Sequence, residues 1–273
     1  MNYALKSTHW KRVVITLVLV PMLAHTTRAQ TDDESAAARG LEIAEEADRR
    51  DLGWEDSVTE LTMTLRNAHG QESTRKLRTK TLEVKDDGDK SLNIFDEPRD
   101  IQGTALLSFT HALEPDDQWL YLPSLKRVKR ISSSNKSGPF MGSEFAYEDL
   151  SSQEVEKYTY RFLEETELDG QKVYKVEQIP VYEKSGYTRI VVWYDVVEYR
   201  RIRADYYDRK SELLKTLRWL DFNQYLGKYW RAHRMEMENV QTGKSTTLTF
   251  SDFSFKNGLS DRDFDQNSLR RAR

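Results

Sequence analysis

The stretch 117-DQWLYLPSLKRVKRISSSNKSGPFMGSEFAYEDL-150 decides how the rest of the chain is read. Gln118–Leu122 is an aromatic-rich strand, Leu125–Ile131 carries Lys126, Arg127, Lys129 and Arg130, and Ser132–Leu150 is a long Ser/Gly loop holding Phe140, Met141, Phe145 and Tyr147. An enzyme would more usually show His, Cys or close carboxylates here. Aromatics, a methionine and cations suit an amphiphile better.

Around this stretch the sequence alternates with period two, the pattern of strands. Leu61, Met63 and Leu65 alternate with polar residues. Further strands are predicted at Thr74–Val84, Ser91–Phe95, Thr104–Phe109, Val155–Glu165, Lys172–Val181, Tyr187–Val196, Arg201–Asp208, Leu213–Phe222, Tyr229–Val240 and Ser245–Phe255. Short turns join them, including Asp86-Asp87-Gly88-Asp89, Asp169-Gly170 and Gln241-Thr242-Gly243. The pattern predicts a meander of roughly ten strands, as a barrel or strongly curved sheet. Before it, Thr31–Asp51 reads as a helix, with Asp32, Asp33 and Glu34 in its first turn and a stripe of Ala37, Leu41, Ile43, Ala44 and Ala47. Ser260–Leu269 reads as a short terminal helix or turn carrying Phe264 and Leu269.

The N-terminus reads as a secretory signal: Lys6, Lys11 and Arg12, then apolar Val13–Ala24, then small residues before Gln30. Cleavage is expected near Ala29, giving residues 1–29 as signal peptide and 30–273 as one domain. The apolar run falls short of the roughly 20 residues of a membrane span. Removing Lys6, Lys11, Arg12 and Arg28 from 42 basic residues leaves 38 against 45 acidic, a net charge of −7. That argues against nucleic-acid binding. Zero cysteines in an exported chain means that a core, not disulfides, must hold the fold. The combination suits a bacterial periplasm.

The catalytic inventory is poor. His69, His111 and His233 are isolated, and there is no thiol, nucleophile elbow, metalloprotease helix, phosphate loop or dinucleotide fingerprint. No metal or cofactor is expected. The doublet Glu148-Asp149 is the one modest candidate for acid–base work. A curved sheet with few helices has a concave face that must be covered, and incomplete cover leaves an apolar cavity. The residues expected to line it are Trp119, Tyr121, Phe140, Met141, Phe145 and Tyr147 around the mouth, with Met63, Trp193, Trp219 and Met235 deeper. Asp117–Leu150 would form its rim and lid. Lys126, Arg127, Lys129 and Arg130 read either as a charged edge that discourages sheet-to-sheet pairing or as cations facing lipid head groups or an acidic partner.

The ordered series Gly103-Thr104-Ala105-Leu106-Leu107, Trp119–Pro123, Lys126–Ile131 and Gly142–Leu150, followed by Lys215, Met235, Asn239 and Phe264…Leu269, resembles the outer-membrane lipoprotein-sorting (LolA-like) family of periplasmic proteins, in the branch associated with transporters of the resistance-nodulation-division (RND) type. The resemblance covers most of the chain after the leader. It implies a mainly β fold, a single-domain incomplete antiparallel β-barrel with helices and a long loop over a concave apolar face. It implies carriage of the acyl chains of a lipid or lipoprotein between membranes in a Gram-negative periplasm, transient membrane contact, and no catalysis. An inner-membrane RND-type transporter is the partner it suggests. A lipid-sensing regulatory or accessory subunit is the alternative role, and a hydrolase using Glu148 and Asp149 ranks below both.

Overall fold

The computed structural model describes residues 1, 24–85, 87–132 and 135–271. The leader and Asp86 of the predicted turn therefore lie wholly or largely outside the described residues. Among those described, no helix is long and apolar enough to cross a membrane.

Thirteen antiparallel strands form one sheet. Strands β1 (Asp56–Arg66), β2 (Glu72–Leu82), β3 (Lys90–Glu97), β4 (Ala105–Phe109), β5 (Asp117–Leu122) and β6 (Arg127–Ile131) make one meander. The second runs through β7 (Tyr158–Leu168), β8 (Gln171–Pro180), β9 (Arg189–Asp195), β10 (Arg201–Tyr207), β11 (Leu213–Tyr225), β12 (Tyr229–Asn239) and β13 (Lys244–Phe255). The two are joined edge to edge by β1 and β13, with Leu61 opposite Phe250 and Met63 opposite Leu248. The strand order runs from β6 through β1 and β13 to β7. The free edges are thus β6 and β7, and the sheet is an incomplete barrel. Register shifts on β1, β2, β7 and β10, with left-handed residues at Asp221 and Asp252, supply the local kinks that curl such a sheet.

The concave face carries the main core, with Leu61, Met63, Leu77, Phe95, Leu106, Leu120, Val176, Val192, Tyr194, Leu217, Met237 and Leu248 all buried. Helix α1 (Ala24–Asp51) packs across β7 and contributes Ile43 and Ala44 to that core. Two sequence expectations need correction. Within the described residues the helix starts at Ala24, so Asp32, Asp33 and Glu34 do not occupy its first turn. Its buried stripe is Gly40, Ile43 and Ala44, with Ala37 and Leu41 exposed. Gly40 belongs to the stripe because a Cβ there would come within 2.7 Å of the Phe162 amide nitrogen.

A smaller core lies on the convex face. Leu92, Ile94, Ala105 and Leu107 are covered there by Phe264 and Leu269, the latter on α2 (Gln266–Arg271).

Candidate functional site

The β6–β7 connection bridges the two free edges, and its apolar side chains turn inward. Phe140 and Phe145 are each 1% exposed. Phe140 packs at a tilt 5.7 Å from Phe95 and edge-on at 5.6 Å to Tyr147. Burying two phenylalanines contributes on the order of 3–6 kcal/mol relative to leaving them in water. Polar latches fix the same loop. Asp149 accepts hydrogen bonds from the Ala146 amide at 2.6 Å, the Tyr187 hydroxyl at 2.8 Å and Lys215 Nζ at 2.6 Å. Lys215 also donates to the Glu144 carbonyl, and Asn239 donates to the Glu144 carboxylate at 2.8 Å. Glu148 accepts from the Gly186 amide, Ser185 and Tyr182. Burial, reinforced by the adjacent Asp149 charge, holds its carboxyl above the usual range. The acidic doublet therefore pins the loop to the β8–β9 connection and to β11.

A second latch sits at the loop's roots. Asp116 is paired with Lys157 at 2.6 Å and Lys136 at 3.2 Å, all three side chains nearly buried. Burial alone would raise the Asp116 pKa, but the two ammonium groups hold it below the ordinary value.

The cavity lies elsewhere, beneath the C-terminal half of α1, and has a volume of about 660 Å³. One wall is aromatic: Trp219 and Phe222 on β11, Trp230 and Met235 on β12, Phe250 and Phe253 on β13. The facing wall is hydroxylated, from Ser57 and Thr59 on β1 and Thr79 and Thr81 on β2. Ala47, Asp48, Asp51 and Leu52 roof it, and the turns around Asp89, Gln153 and Arg200 close its flank. This corrects the expected apolar chamber: one wall is apolar, the other polar.

Charge is layered over the aromatic wall. The Arg200 guanidinium lies 4.7 Å from both the Phe222 and Trp230 rings and is paired with Asp195 at 2.8 Å. Arg231 covers Trp54 and pairs with Asp51, and Arg50 covers Tyr199 and pairs with Glu46. Three flanking carboxyls lack such partners. Asp89 is pushed up to about 7, chiefly by burial and then by the charge of Glu154. Burial also raises Glu154, against a hydrogen bond from Ser152, and raises Asp48, against the charge of Arg201. Among the described residues no His, Cys, Asp or Glu group is arranged to hold a metal ion.

Of the ten side chains expected to line a cavity, Trp219 and Met235 do so. Met63, Phe140 and Phe145 are sealed in the core, with Met141 and Tyr147 packed against it. Trp119 and Tyr121 point to the convex face, where Trp119 meets Phe109 edge-on at 5.2 Å. Trp193 is convex too, between Lys175 and Arg203. Strand alternation placed these residues on two faces but could not say which face was concave. The basic run behaves as its alternation predicts: Ile131 faces the main core and Val128 the convex cluster, while Lys126, Arg127, Lys129 and Arg130 are exposed on a free edge. Arg130 pairs with Asp117. Sequence reading missed Trp54, Trp230, Phe250 and Phe253; left-handed residues at Asp221 and Asp252 interrupt the alternation along β11 and β13, and Trp54 lies before the first strand.

Comparison with known proteins follows the same architecture. A family model described as "Uncharacterized protein" matches residues 87–271. A solved domain from Vibrio parahaemolyticus, assigned as an outer membrane lipoprotein-sorting protein domain, is 58% identical with a TM-score of 0.84, covering 86% of this chain and 99% of that one. A DUF1329 family protein from Desulfovibrio piger is 32% identical with a TM-score of 0.81, covering 86% and 99%. A LolA superfamily protein from Nitrosomonas europaea shares the fold at 22% identity, with a TM-score of 0.68 and coverage of 84% and 98%. No curated protein matches the chain.

Proposed function

The chain belongs to the outer-membrane lipoprotein-sorting family of the LolA superfamily, and from that premise we propose that it is a periplasmic carrier that holds a lipid or the acyl chains of a lipoprotein in transit between membranes. The observation that carries this reading is the cavity under α1, with an aromatic wall that can receive an acyl chain and a polar wall that can receive the rest of an amphiphile. Burying each methylene of a chain contributes about 0.8 kcal/mol, so a long chain binds without covalent chemistry. Trp219 and Met235, with Trp230, Phe222, Phe250 and Phe253, are the proposed acyl contacts. Residues 1–29 would direct export and be removed, leaving 30–273 as the carrier domain.

The role is binding rather than catalysis: the carboxylates of the loop, Glu148 and Asp149, are committed to the latch. An RND-type inner-membrane transporter is the proposed partner, met through the exposed β6 edge with Lys126, Arg127 and Lys129. Native mass spectrometry of protein purified from a periplasm tests the carrier reading. Bound species that lipid extraction recovers are expected. Consistently empty protein that also takes up no fluorescent fatty acid would refute it.

A further inference from the structure

Among the arginines at the cavity, Arg201 stands apart. Arg49, Arg50, Arg200 and Arg231 are each closed onto a carboxylate. Arg201, partly buried at the start of β10, forms no ion pair among the described residues. Its Nη1 donates to Gln153 Oε1 at 2.8 Å, the Tyr194 hydroxyl is a second hydrogen-bond partner, and the Tyr160 phenol flanks it. Burial pushes the Tyr160 phenol above its ordinary value, so it supplies no counter-charge at neutral pH. Asp48 on α1 feels the guanidinium without pairing to it, and Asp89 and Glu154, the other flanking acids, are pushed towards their neutral forms by burial. A guanidinium has five N–H donors, and these two partners leave others for an added ligand. Leaving a cation buried without a counter-charge is costly, and a planar oxyanion is the group that two parallel guanidinium N–H donors fit best.

We propose that Arg201 anchors the oxyanion head group, carboxylate or phosphate, of the amphiphile whose apolar part lies on the Trp219–Trp230 wall. This rests on the carrier reading and gives the cargo a class: an anionic lipid. Gln153 is a positioning residue that fixes the guanidinium plane.

Titration of the mature full-length chain with a fluorescent long-chain fatty acid, its methyl ester and inorganic phosphate separates the two ideas. The acid is expected to bind at least tenfold more tightly than the ester. Arg201→Gln should remove that preference while leaving ester affinity within about twofold, and Arg201→Lys should restore part of it. Equal affinity for acid and ester in the unaltered protein overturns the anchor and leaves the carrier reading standing. Phosphate binding that Arg201→Gln abolishes, with neither acyl probe taken up, upholds the anchor and removes the carrier. No binding of any probe overturns both. If Arg201→Gln fails to fold, the acid-to-ester ratio of the unaltered protein decides alone.

Discussion

Two residues test the physics of the interior most sharply. Lys215 and Asp149 form an ion pair with side chains 4% and 3% exposed. Removing one partner strands the other without solvent, so Lys215→Met should destabilise by about 3–5 kcal/mol. Lys215→Met with Asp149→Asn should recover a substantial part; urea unfolding of the two variants and the unaltered protein reads the difference. Asp89 makes the opposite case. Its folded pKa of about 7 exceeds the unfolded value of 3.8, so the folded state favours the protonated form. Stability from this group is whole below pH 4 and is lost as pH rises through 7. Asp89→Asn should therefore raise stability by about 1–3 kcal/mol at pH 8 and change little at pH 4. Thermal melts at the two pH values check this, and a gain at pH 4 equal to that at pH 8 would contradict it. Neither role was legible in the sequence. Lys215 stood out only through the family resemblance, and Asp89 read as a turn residue, because burial is a property of the assembled fold.

The elements were far more legible. Alternation and turn dipeptides such as Asp169-Gly170 located the strands, although the expected count of roughly ten falls short of the thirteen found among the described residues. The loop's length and aromatic content marked it as cover. What alternation could not supply was the sign of each face, and Trp119, Tyr121 and Trp193 went to the convex side because Leu120, Val192 and Tyr194 fill the concave one. Helix α1 is the cover most exposed to test. Gly40 approaches the Phe162 and Arg161 backbone so closely that any side chain must push the helix away. Gly40→Val should loosen α1 from β7, increase amide exchange along 36–51 by at least tenfold, and leave exchange in β11–β13 unchanged. Protection of α1 equal to that of the unaltered protein would show that the close approach is not what seats it. If cargo leaves past α1, the same variant should also release a bound fatty acid faster.

At the scale of the whole molecule, one topological fact organises the rest. The two meanders meet at β1 and β13, so the opening falls between β6 and β7, the strands that flank the long loop. That loop fills one part of the concavity with Phe140 and Phe145, and α1 roofs the remainder, leaving the 660 Å³ cavity with its aromatic and hydroxylated walls. The sequence announced a curved sheet and a cover, but the cavity's place depended on long-range pairing and on bulges, which no local pattern reveals. The most direct measurement is quenching of tryptophan fluorescence by a fatty acid brominated along its chain. A carrier with this interior predicts saturable quenching that disappears when Trp54, Trp219 and Trp230 are replaced by Phe and survives replacement of Trp119 and Trp193. Quenching that follows Trp119 and Trp193 instead, or none at any lipid concentration, would contradict it.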